Sequence, residues 1–387
     1  MRLTPVRLRR VPVLFAPGLV CVLAVPGAAG AQGVFRATPS VSVTQQHDSN
    51  VFSTSIDPES DFVTRVSSGI ESEYRSPLWT MSGRYFLDNE HFADHTELDS
   101  MDARQRAAFA FGRSLTPRTA WTVDTEFLKT RTPGELNEAT GLTFTRAAAR
   151  RLSAHSLITR HLNPLVTGTI DYTVTEDHLA GASGATTHAA AVEVQRRRSA
   201  RETVTLDYRF RNFAFVSAGT APASSATSHA VTLGWTRAIT PRLRISLDGG
   251  PRVTNASAAA ELLASFQYQH APGDLSVTYI RSQATVVGLA GAADTQSLSA
   301  TASRTVWSSV RMRVGPSVFR STFGGARADA YVFTVDITRP IARSLAIDVA
   351  LDNSLQRGSL YGRLANTAIA RRSALVRLVA GPSTKPR

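Results

Sequence analysis

The stretch Val204-Thr-Leu-Asp-Tyr-Arg-Phe-Arg211 decides the fold, because apolar and polar residues alternate along it without interruption. Successive side chains of a β-strand point to opposite faces, so this period of two predicts a strand with one apolar and one polar face. The same alternation recurs at 166–175, 243–250 and 345–352. Helical periodicity is scarce, and the chain is therefore predicted to be all-β.

Short turn signals separate these strands at regular intervals. They are Arg75-Ser-Pro77, Thr116-Pro-Arg118, Leu162-Asn-Pro164, Ser199-Ala-Arg201, Thr240-Pro-Arg242, Pro272-Gly-Asp274, Trp307-Ser-Ser309 and Ala342-Arg-Ser344. Longer polar or small-residue stretches lie between them, at 47–59, 93–100, 132–142, 179–186, 217–227, 286–294, 323–329 and 358–366. Alternation of short turns with long loops is typical of outer-membrane β-barrels, whose periplasmic turns are short and whose extracellular loops are longer.

The turn signals also predict the number of strands. With both chain ends in the periplasm, they give nine hairpins, an antiparallel transmembrane barrel of about 18 strands; 16 strands remain an alternative. Each strand with its connection then takes about 20 residues, which matches a tilted strand of ~9–11 residues across a bilayer plus a modest loop.

The first 31 residues resemble a cleaved export signal. Arg2, Arg7, Arg9 and Arg10 precede a short apolar segment, and Ala29-Gly-Ala31 fits a small-x-small cleavage site. The predicted organisation is a signal peptide at 1–31, a barrel at 32–380 and a tail at 381–387. The single cysteine, Cys21, lies in the signal segment, which excludes a disulfide scaffold and any Cys-based metal site in the exported chain.

The 387-residue chain is basic, with a formal net charge of +13. Export makes nucleic acid an improbable partner. A lipid-facing arginine at the bilayer midplane costs about 2–4 kcal/mol, so arginines within strands are expected to face the lumen. We expect much of the basic excess in the lumen wall, with carboxylates of the same inward parity. The lumen residues predicted are Arg84, Arg209, Arg211, Arg244, Arg311, Arg313, Asp171, Asp207, Asp248, Asp336 and Asp348.

Two interpretations of these charges stay open. They form salt-bridge ladders that support the wall, or they line a basic, hydrated passage for an anionic solute or polymer.

The four tryptophans, Trp79, Trp121, Trp235 and Trp307, all lie near predicted periplasmic turns. This position favours an interface girdle, where the amphipathic indole ring suits the membrane boundary.

The first predicted hairpin reads Pro39-Ser-Val-Ser-Val-Thr-Gln-Gln-His-Asp-Ser-Asn-Val-Phe52 and resumes with Ser60-Asp-Phe62. Over about 50 residues it resembles the opening of the beta-barrel porin family associated with bacterial exopolysaccharide loci. The Asp48-x-Asn50 loop and the Ser60-Asp61 strand start carry the resemblance. It implies an outer-membrane barrel and, for some members, export of secreted polysaccharide. The final residues, Leu378 to Arg387, depart from the terminal aromatic residue common in barrels.

No sequence motif points to catalysis. A phosphate loop, a Rossmann glycine pattern and HExxH are all missing from the sequence, and the nine histidines are dispersed. We therefore expect no enzyme activity, no cofactor and no metal; an outer-membrane hydrolase is the least favoured interpretation.

The leading hypothesis is a conduit, or an accessory, for export of a secreted polysaccharide. A general, anion-preferring diffusion porin for small solutes is the first alternative, and a plugged structural or adhesive barrel is the second. The partners expected are outer-membrane lipid and lipopolysaccharide, the barrel-assembly machinery, and an anionic polysaccharide or its export components.

Overall fold

The computed structural model describes residues 33–216, 223–307, 309–360 and 368–381. The predicted signal peptide lies outside the described residues, as does the tail beyond residue 381. The division into signal, barrel and tail therefore stays a prediction. In the part of the chain that the structure describes, no helix is long and apolar enough to cross a membrane.

The described residues form eighteen strands and two short 3-10 helices, at Thr96–Leu98 and Pro133–Leu136. The first nine strands are β1 (Val34–Asp48), β2 (Asp61–Arg75), β3 (Trp79–Phe92), β4 (Ser100–Thr116), β5 (Thr119–Thr130), β6 (Ala149–Asn163), β7 (Val166–Leu179), β8 (Gly184–Arg197) and β9 (Glu202–Val216). The others are β10 (Ser224–Thr240), β11 (Leu243–Thr254), β12 (Ser257–His270), β13 (Gly273–Thr285), β14 (Ala292–Val306), β15 (Val310–Phe323), β16 (Ala326–Ala342), β17 (Leu345–Gly358) and β18 (Ala368–Ala380).

The sheet closes on itself. Each strand pairs antiparallel with its neighbours in the chain, and β1 also pairs with β18, from Val41 opposite Ala380 to Asp48 opposite Ser373. Closure removes the open edge that a flat sheet would leave, so the strands satisfy one another's backbone groups all the way round. The prediction of an 18-stranded antiparallel barrel is confirmed.

The two faces of each strand differ as the alternation predicts. On β9, Leu206 and Tyr208 are 54% and 44% exposed on the outer surface, whereas Asp207 between them points inward and is 3% exposed. The same arrangement holds on β7, where Ile170 and Tyr172 are exposed on either side of the inward Asp171. An outer surface of exposed apolar side chains around a polar interior is the arrangement of a membrane-spanning barrel.

The two ends of the barrel differ in their connections. Eight short connections, the start of β1 and the end of β18 lie at one end, here called the turn end. The nine other connections lie at the opposite end, the loop end. The longest of these joins β5 to β6 through residues 131–148.

One connection at the loop end is shorter than the sequence indicates, and another, between β11 and β12, was not predicted. Residues 323–329 are mostly strand, because β15 and β16 are joined by Gly324-Gly325 alone. Both glycines have positive φ, at 55° and 83°, a conformation that suits tight two-residue hairpins and that glycine adopts without steric cost. Asn255-Ala256 makes the equivalent turn between β11 and β12, also with positive φ.

Within the barrel, apolar burial is concentrated at the loop end. The buried clusters gather around Leu142 and Val286, around Leu136 and Val287, and around Val51 and Phe92. All of these residues lie in loop-end connections or in the last residues of the strands that reach them. Among the described residues, the apolar core therefore lies where the loops fold together.

The pairing of β1 with β18 gives a stability prediction. The Arg371 guanidinium on β18 lies 2.5 Å from the Asp48 carboxylate on β1, whose side chain is 3% exposed. Asp48→Asn should lower the free energy of unfolding by about 1–3 kcal/mol, because it weakens a charge-assisted bond to a buried group. Urea unfolding in detergent micelles measures the loss.

The matched control is Asp348→Asn, which breaks the pair that Arg377 of β18 makes with Asp348 at 2.9 Å. Arg377 is 49% exposed, so this change should cost at most about 1 kcal/mol. Equal effects of the two substitutions would contradict a special role for the buried pair.

Candidate functional site

The β5–β6 loop, residues 131–148, enters the barrel instead of extending away from it. Leu142 belongs to one buried apolar cluster with Ala293, Ala328 and Ala330, which lie on β14 and β16. Its neighbour Thr143 donates its backbone N–H to Gln356 Oε1 of β17 at 2.8 Å. Because β5–β6 and β14–β17 lie on opposite sides of an eighteen-strand ring, the loop crosses the lumen.

A second loop completes this arrangement. The β13–β14 loop, residues 286–291, reaches back toward the first, and Val287 donates its backbone N–H to Asn137 Oδ1 at 3.0 Å. Asn137 is 2% exposed and also donates from Nδ2 to the Leu142 carbonyl at 3.3 Å. One amide side chain thus joins both loops. Residues 131–148 and 286–291 are called the loop cap below.

Charged groups anchor the loop cap to the wall on its other side. Arg146 of the cap donates to Glu90 of β3 at 2.6 Å, and Arg65 of β2 binds the same carboxylate at 2.6 Å. The Arg146 guanidinium also lies over the Phe92 ring, 4.8 Å from its centroid. A carboxylate shared by two arginines is a strong, charge-assisted anchor, so we expect this side of the cap to be held firmly.

Beneath the loop cap the lumen is hollow and polar. A cavity of about 490 Å³ lies between the cap and the wall around Arg65, Glu90 and Arg371. Nearer the turn end, a cavity of about 540 Å³ is lined by Glu71, Arg84, Asp124, Glu126 and His155, among others. Charged and hydroxyl side chains contribute to the lining of both spaces, beside apolar ones such as Leu142, Phe319 and Phe109.

The register places the predicted lumen residues on the inward face of their strands. These residues are Arg84 on β3, Asp171 on β7, Asp207, Arg209 and Arg211 on β9, Arg244 and Asp248 on β11, Arg311 and Arg313 on β15, Asp336 on β16 and Asp348 on β17. The strand register establishes only which face of the sheet these side chains are on. A role in contacting solute stays a prediction.

Some of these charges are paired and some are not. Arg209 binds Asp207 at 2.5 Å, Arg211 binds Glu261, and Asp171 binds His155. Arg84 lies 4.0 Å from Glu126. Within the described residues, Arg244, Arg311, Arg313, Asp248 and Asp336 form no salt bridge within 4.0 Å. The salt-bridge interpretation thus applies to the first group, and the passage interpretation stays a prediction for the second group.

The expectation that the basic excess lies largely in the lumen wall is wrong. Carboxylates on inward-facing strand positions are at least as numerous as guanidinium groups. They include Glu71, Glu73, Asp88, Glu90, Asp124, Glu126, Asp171, Asp177, Glu193, Asp207, Asp248, Glu261, Asp336, Asp348 and Asp352. Sequence parity identified five of these aspartates, Asp171, Asp207, Asp248, Asp336 and Asp348, but not the glutamates and the other aspartates, so the lumen is more evenly mixed in charge than the sequence indicated.

Glu261, which the sequence analysis did not identify, lies at the centre of a cluster of three inward arginines. It is 2% exposed on β12 and receives Arg211, with Arg209 and Arg252 both 3.7 Å away. It lies in the run Ala258-Ala-Ala-Glu-Leu-Leu263, which has no period of two. The only available signal was a single charge inside an apolar stretch.

The four tryptophans lie at the turn end. Trp79 and Trp121 belong to an aromatic row with Tyr74 and Phe111, whose successive ring centroids are 5.1, 6.5 and 5.6 Å apart. Trp235 donates from Nε1 to Glu202 at 2.9 Å. Trp307 occupies the β14–β15 turn and is 82% exposed. Their service as an interface girdle stays a prediction.

The motif residues of the first hairpin organise its loop. Asn50 is fully buried and bonds the backbone of Thr54 at both its carbonyl and amide groups, while its Nδ2 also reaches the Ala370 carbonyl of β18 at 3.1 Å. Asp61 accepts the backbone N–H groups of Asp94 and His95 at 3.1 and 3.0 Å. The Asp-x-Asn and Ser-Asp pattern therefore has a structural explanation.

No protein-family model matches the chain, and no curated protein sequence matches it. Solved structures do resemble it. Pseudomonas aeruginosa OccK3 (OpdO) is 10% identical with a TM-score of 0.48, covering 90% of this chain and 96% of its own. Acinetobacter baumannii OccAB4 is 9% identical with a TM-score of 0.46, covering 90% and 99%. The siderophore receptor PirA from A. baumannii is 7% identical with a TM-score of 0.48, covering 89% and 80%.

At these identities, the class of the protein rests on its own strands and loops. The chain is a closed, 18-stranded antiparallel β-barrel of the outer-membrane type, with a mixed-charge lumen and a loop cap folded into it. The resemblance of its first hairpin to a family associated with exopolysaccharide loci stays a prediction.

A histidine beside the first loop gives a pH prediction. His95 contacts Glu59 through Nε2 at 2.6 Å and Asp61 through Nδ1 at 2.9 Å, and these two hydrogen bonds raise the pKa of His95. The charged bridge is complete below pH ~6.5, the ordinary histidine value, and is lost as pH rises through the raised pKa. Corrected for intrinsic rates, amide hydrogen exchange of residues 54–59 should accelerate above that pH.

His95→Asn should abolish this pH dependence. The matched control is His91→Asn, since His91 contacts Asp99 but not the first loop. Exchange that stays constant from pH 6 to pH 9 in the unsubstituted protein would contradict the bridge.

Proposed function

We propose that this barrel is a passive diffusion porin of the bacterial outer membrane for small hydrophilic solutes. The observation that carries the proposal is the β5–β6 loop, which crosses the lumen and is fixed to the opposite wall at Leu142 and Thr143. A loop folded into a hydrated barrel narrows the passage without removing the polar wall on which solutes depend.

The polar wall on both sides of the loop supports diffusion of hydrophilic solutes. Charged and hydroxyl groups contribute to the lining of the cavities of about 490 and 540 Å³, and the apolar cluster around Leu142 lies at the loop end. Weak contacts at many positions allow a solute to enter and to leave, as conduction requires. An apolar or bulky substrate would find no continuous surface of matching chemistry.

The charge of the lumen predicts weak ion selectivity. Arg244, Arg311 and Arg313 face the lumen without a salt bridge among the described residues, and they support the anion preference expected from the sequence. The Glu71, Asp124 and Glu126 carboxylates lie on the far side of the barrel and act against it. The preference for anions over cations is therefore weak, because the three arginines favour anions and the three carboxylates favour cations.

A second candidate function is the export of a secreted polysaccharide, as the conduit or as an accessory to it. The resemblance of the first hairpin, at Asp48, Asn50, Ser60, Asp61 and Phe62, favours it. A polymer chain would require the loop cap to move out of the lumen. Deleting the gene and measuring surface polysaccharide tests this function; unchanged secretion would reject it. Partners then include an anionic polysaccharide or components of its export machinery.

The remaining proposals follow from residence in the outer membrane. We propose that the chain is exported and cleaved after Ala31, and that the barrel-assembly machinery inserts it. The loop end then contacts lipopolysaccharide. A plugged structural or adhesive barrel is the alternative in which the loop cap never opens. Absence of enzyme activity stays a prediction.

Planar-bilayer conductance tests the porin proposal. The reconstituted protein should give discrete current steps. Asn137→Ala removes the side chain that joins the two loops of the cap, so it should raise the mean conductance or the frequency of opening at least about twofold. Silence of both proteins would favour the plugged barrel.

The matched control is Asn163→Ala at the turn end. Asn163 also accepts backbone N–H groups, from Leu165 and Val166, but it lies far from the loop cap. Its conductance should equal that of the unsubstituted protein. A similar rise in this variant would show that the effect does not come from the cap.

Reversal potentials in a salt gradient test the lumen arginines. Replacing Arg244, Arg311 and Arg313 together with serine removes three positive charges from the inward face and should shift selectivity toward cations. The size of the shift should fall as salt concentration rises, because screening shortens the range of the field. A reversal potential that stays unchanged would show that these residues do not face the conducting path.

A further inference from the structure

A repeated arginine marks the turn end on the outer surface. It lies one to three residues before the last residue of six even-numbered strands. The six are Arg113 on β4, Arg160 on β6, Arg196 on β8, Arg237 on β10, Arg304 on β14 and Arg339 on β16. They are called the arginine belt below. The local sequences are similar, as in 158–164 (Ile-Thr-Arg-His-Leu-Asn-Pro) and 235–241 (Trp-Thr-Arg-Ala-Ile-Thr-Pro).

The strand register turns the belt outward. Arg113 is paired with Trp79 on one side and with Trp121 on the other, within the aromatic row. Two residues earlier on the same strand face lies an apolar or small side chain in every case: Phe111, Ile158, Val194, Trp235, Ala302 and Ile337. All six arginines are exposed. The arginine belt therefore lies on the outer surface between the apolar side chains and the turns.

The belt has almost no acidic counterpart. In the described part of the barrel, none of its six arginines forms a salt bridge within 4.0 Å. Glu202, opposite Arg237, accepts from the Trp235 indole instead. At the loop end, Arg320 and Arg327 both bind Asp329, at 3.0 and 2.7 Å. Arg150, Arg357 and Arg372 are exposed there and form no salt bridge within 4.0 Å in the described part of the chain. What distinguishes the turn end is the regular repeat of six outward arginines that have no salt-bridge partner among the described residues.

The height of the belt fits the headgroup region of a bilayer. Strand residues rise about 3.3 Å each, so three residues place a side chain within about 10 Å of the turn. The cost of a lipid-facing arginine is largest at the midplane and falls toward the interface. A long stem beside apolar side chains can carry the guanidinium outward, and its forked N–H groups match the oxygens of a phosphate.

We propose that the arginine belt binds the phosphates of anionic phospholipids in the leaflet around the turn end. The barrel then gathers a shell of anionic lipid at that end. The proposal requires the barrel to span a membrane but does not depend on which solute passes through it. The charge, the exposure and the position of these arginines along the barrel axis favour lipid phosphate as the ligand. An unpaired guanidinium at the edge of a lipid-facing surface meets phosphodiesters before any other anion.

Tryptophan fluorescence provides the test, because all four tryptophans lie at the turn end. The full-length barrel is reconstituted into phosphatidylcholine vesicles in which a fixed fraction of the lipid is dibrominated phosphatidylglycerol or dibrominated phosphatidylcholine. Bromine quenches only nearby indoles, so the quenching ratio gives the relative association of the two lipids with the turn end. We expect a preference of about fivefold for phosphatidylglycerol at low salt, declining toward one at high salt.

Two variants with the same loss of charge separate the belt from net charge. Arg113→Gln/Arg237→Gln/Arg339→Gln removes half of the belt and should lower the relative association from about fivefold to about twofold. Arg244→Gln/Arg311→Gln/Arg313→Gln removes three inward-facing arginines and should leave it unchanged. Equal quenching by the two lipids in the unsubstituted protein would overturn the proposal. So would an unchanged preference in the belt variant, or an equal loss in both variants.

Discussion

Closure of the sheet by β1 and β18 is the interaction on which the rest of the structure depends. Inside a bilayer no water is available to bond an unpaired N–H or carbonyl group, so an open strand edge is not tolerated. The pairing from Val41–Ala380 to Asp48–Ser373 removes that edge. Once the sheet is closed, every side chain of a strand must face either the lipid or the lumen, and the alternation of the sequence decides which.

That division sorts the charges of the chain by their surroundings. Inward arginines meet carboxylates even on strands that are not adjacent, as Arg209 and Arg211 of β9 meet Glu261 of β12, and such pairs satisfy charge in a confined space. Outward arginines have no such partners at the turn end and lie where an arginine costs least in a membrane. The basic excess of the protein therefore lies outside the lumen, on outward strand positions and in the connections, and the lumen wall is mixed in charge.

The fold was predictable because a period of two needs only local sequence. Segments such as 204–211 predict strand and face together, and the turn signals give their number. The loop cap was not predictable, because its contacts, such as Asn137 with Val287 and Thr143 with Gln356, join residues that are 150 and 213 positions apart. The site of Glu261 was hidden by a uniformly apolar run. The position of the basic excess depended on register, because a shift of one residue turns a side chain from lumen to lipid.

The most direct test of the account is a cross-link between the loop cap and the far wall. Thr143→Cys and Gln356→Cys place a thiol on each side of the contact in a chain whose single cysteine, Cys21, lies in the predicted signal peptide. Val43→Cys with Leu378→Cys, a directly opposed β1–β18 pair, is the positive control. Oxidation in membranes followed by mass spectrometry should show both disulfides in high yield. A disulfide in the control pair but none between positions 143 and 356 would contradict a loop that crosses the lumen.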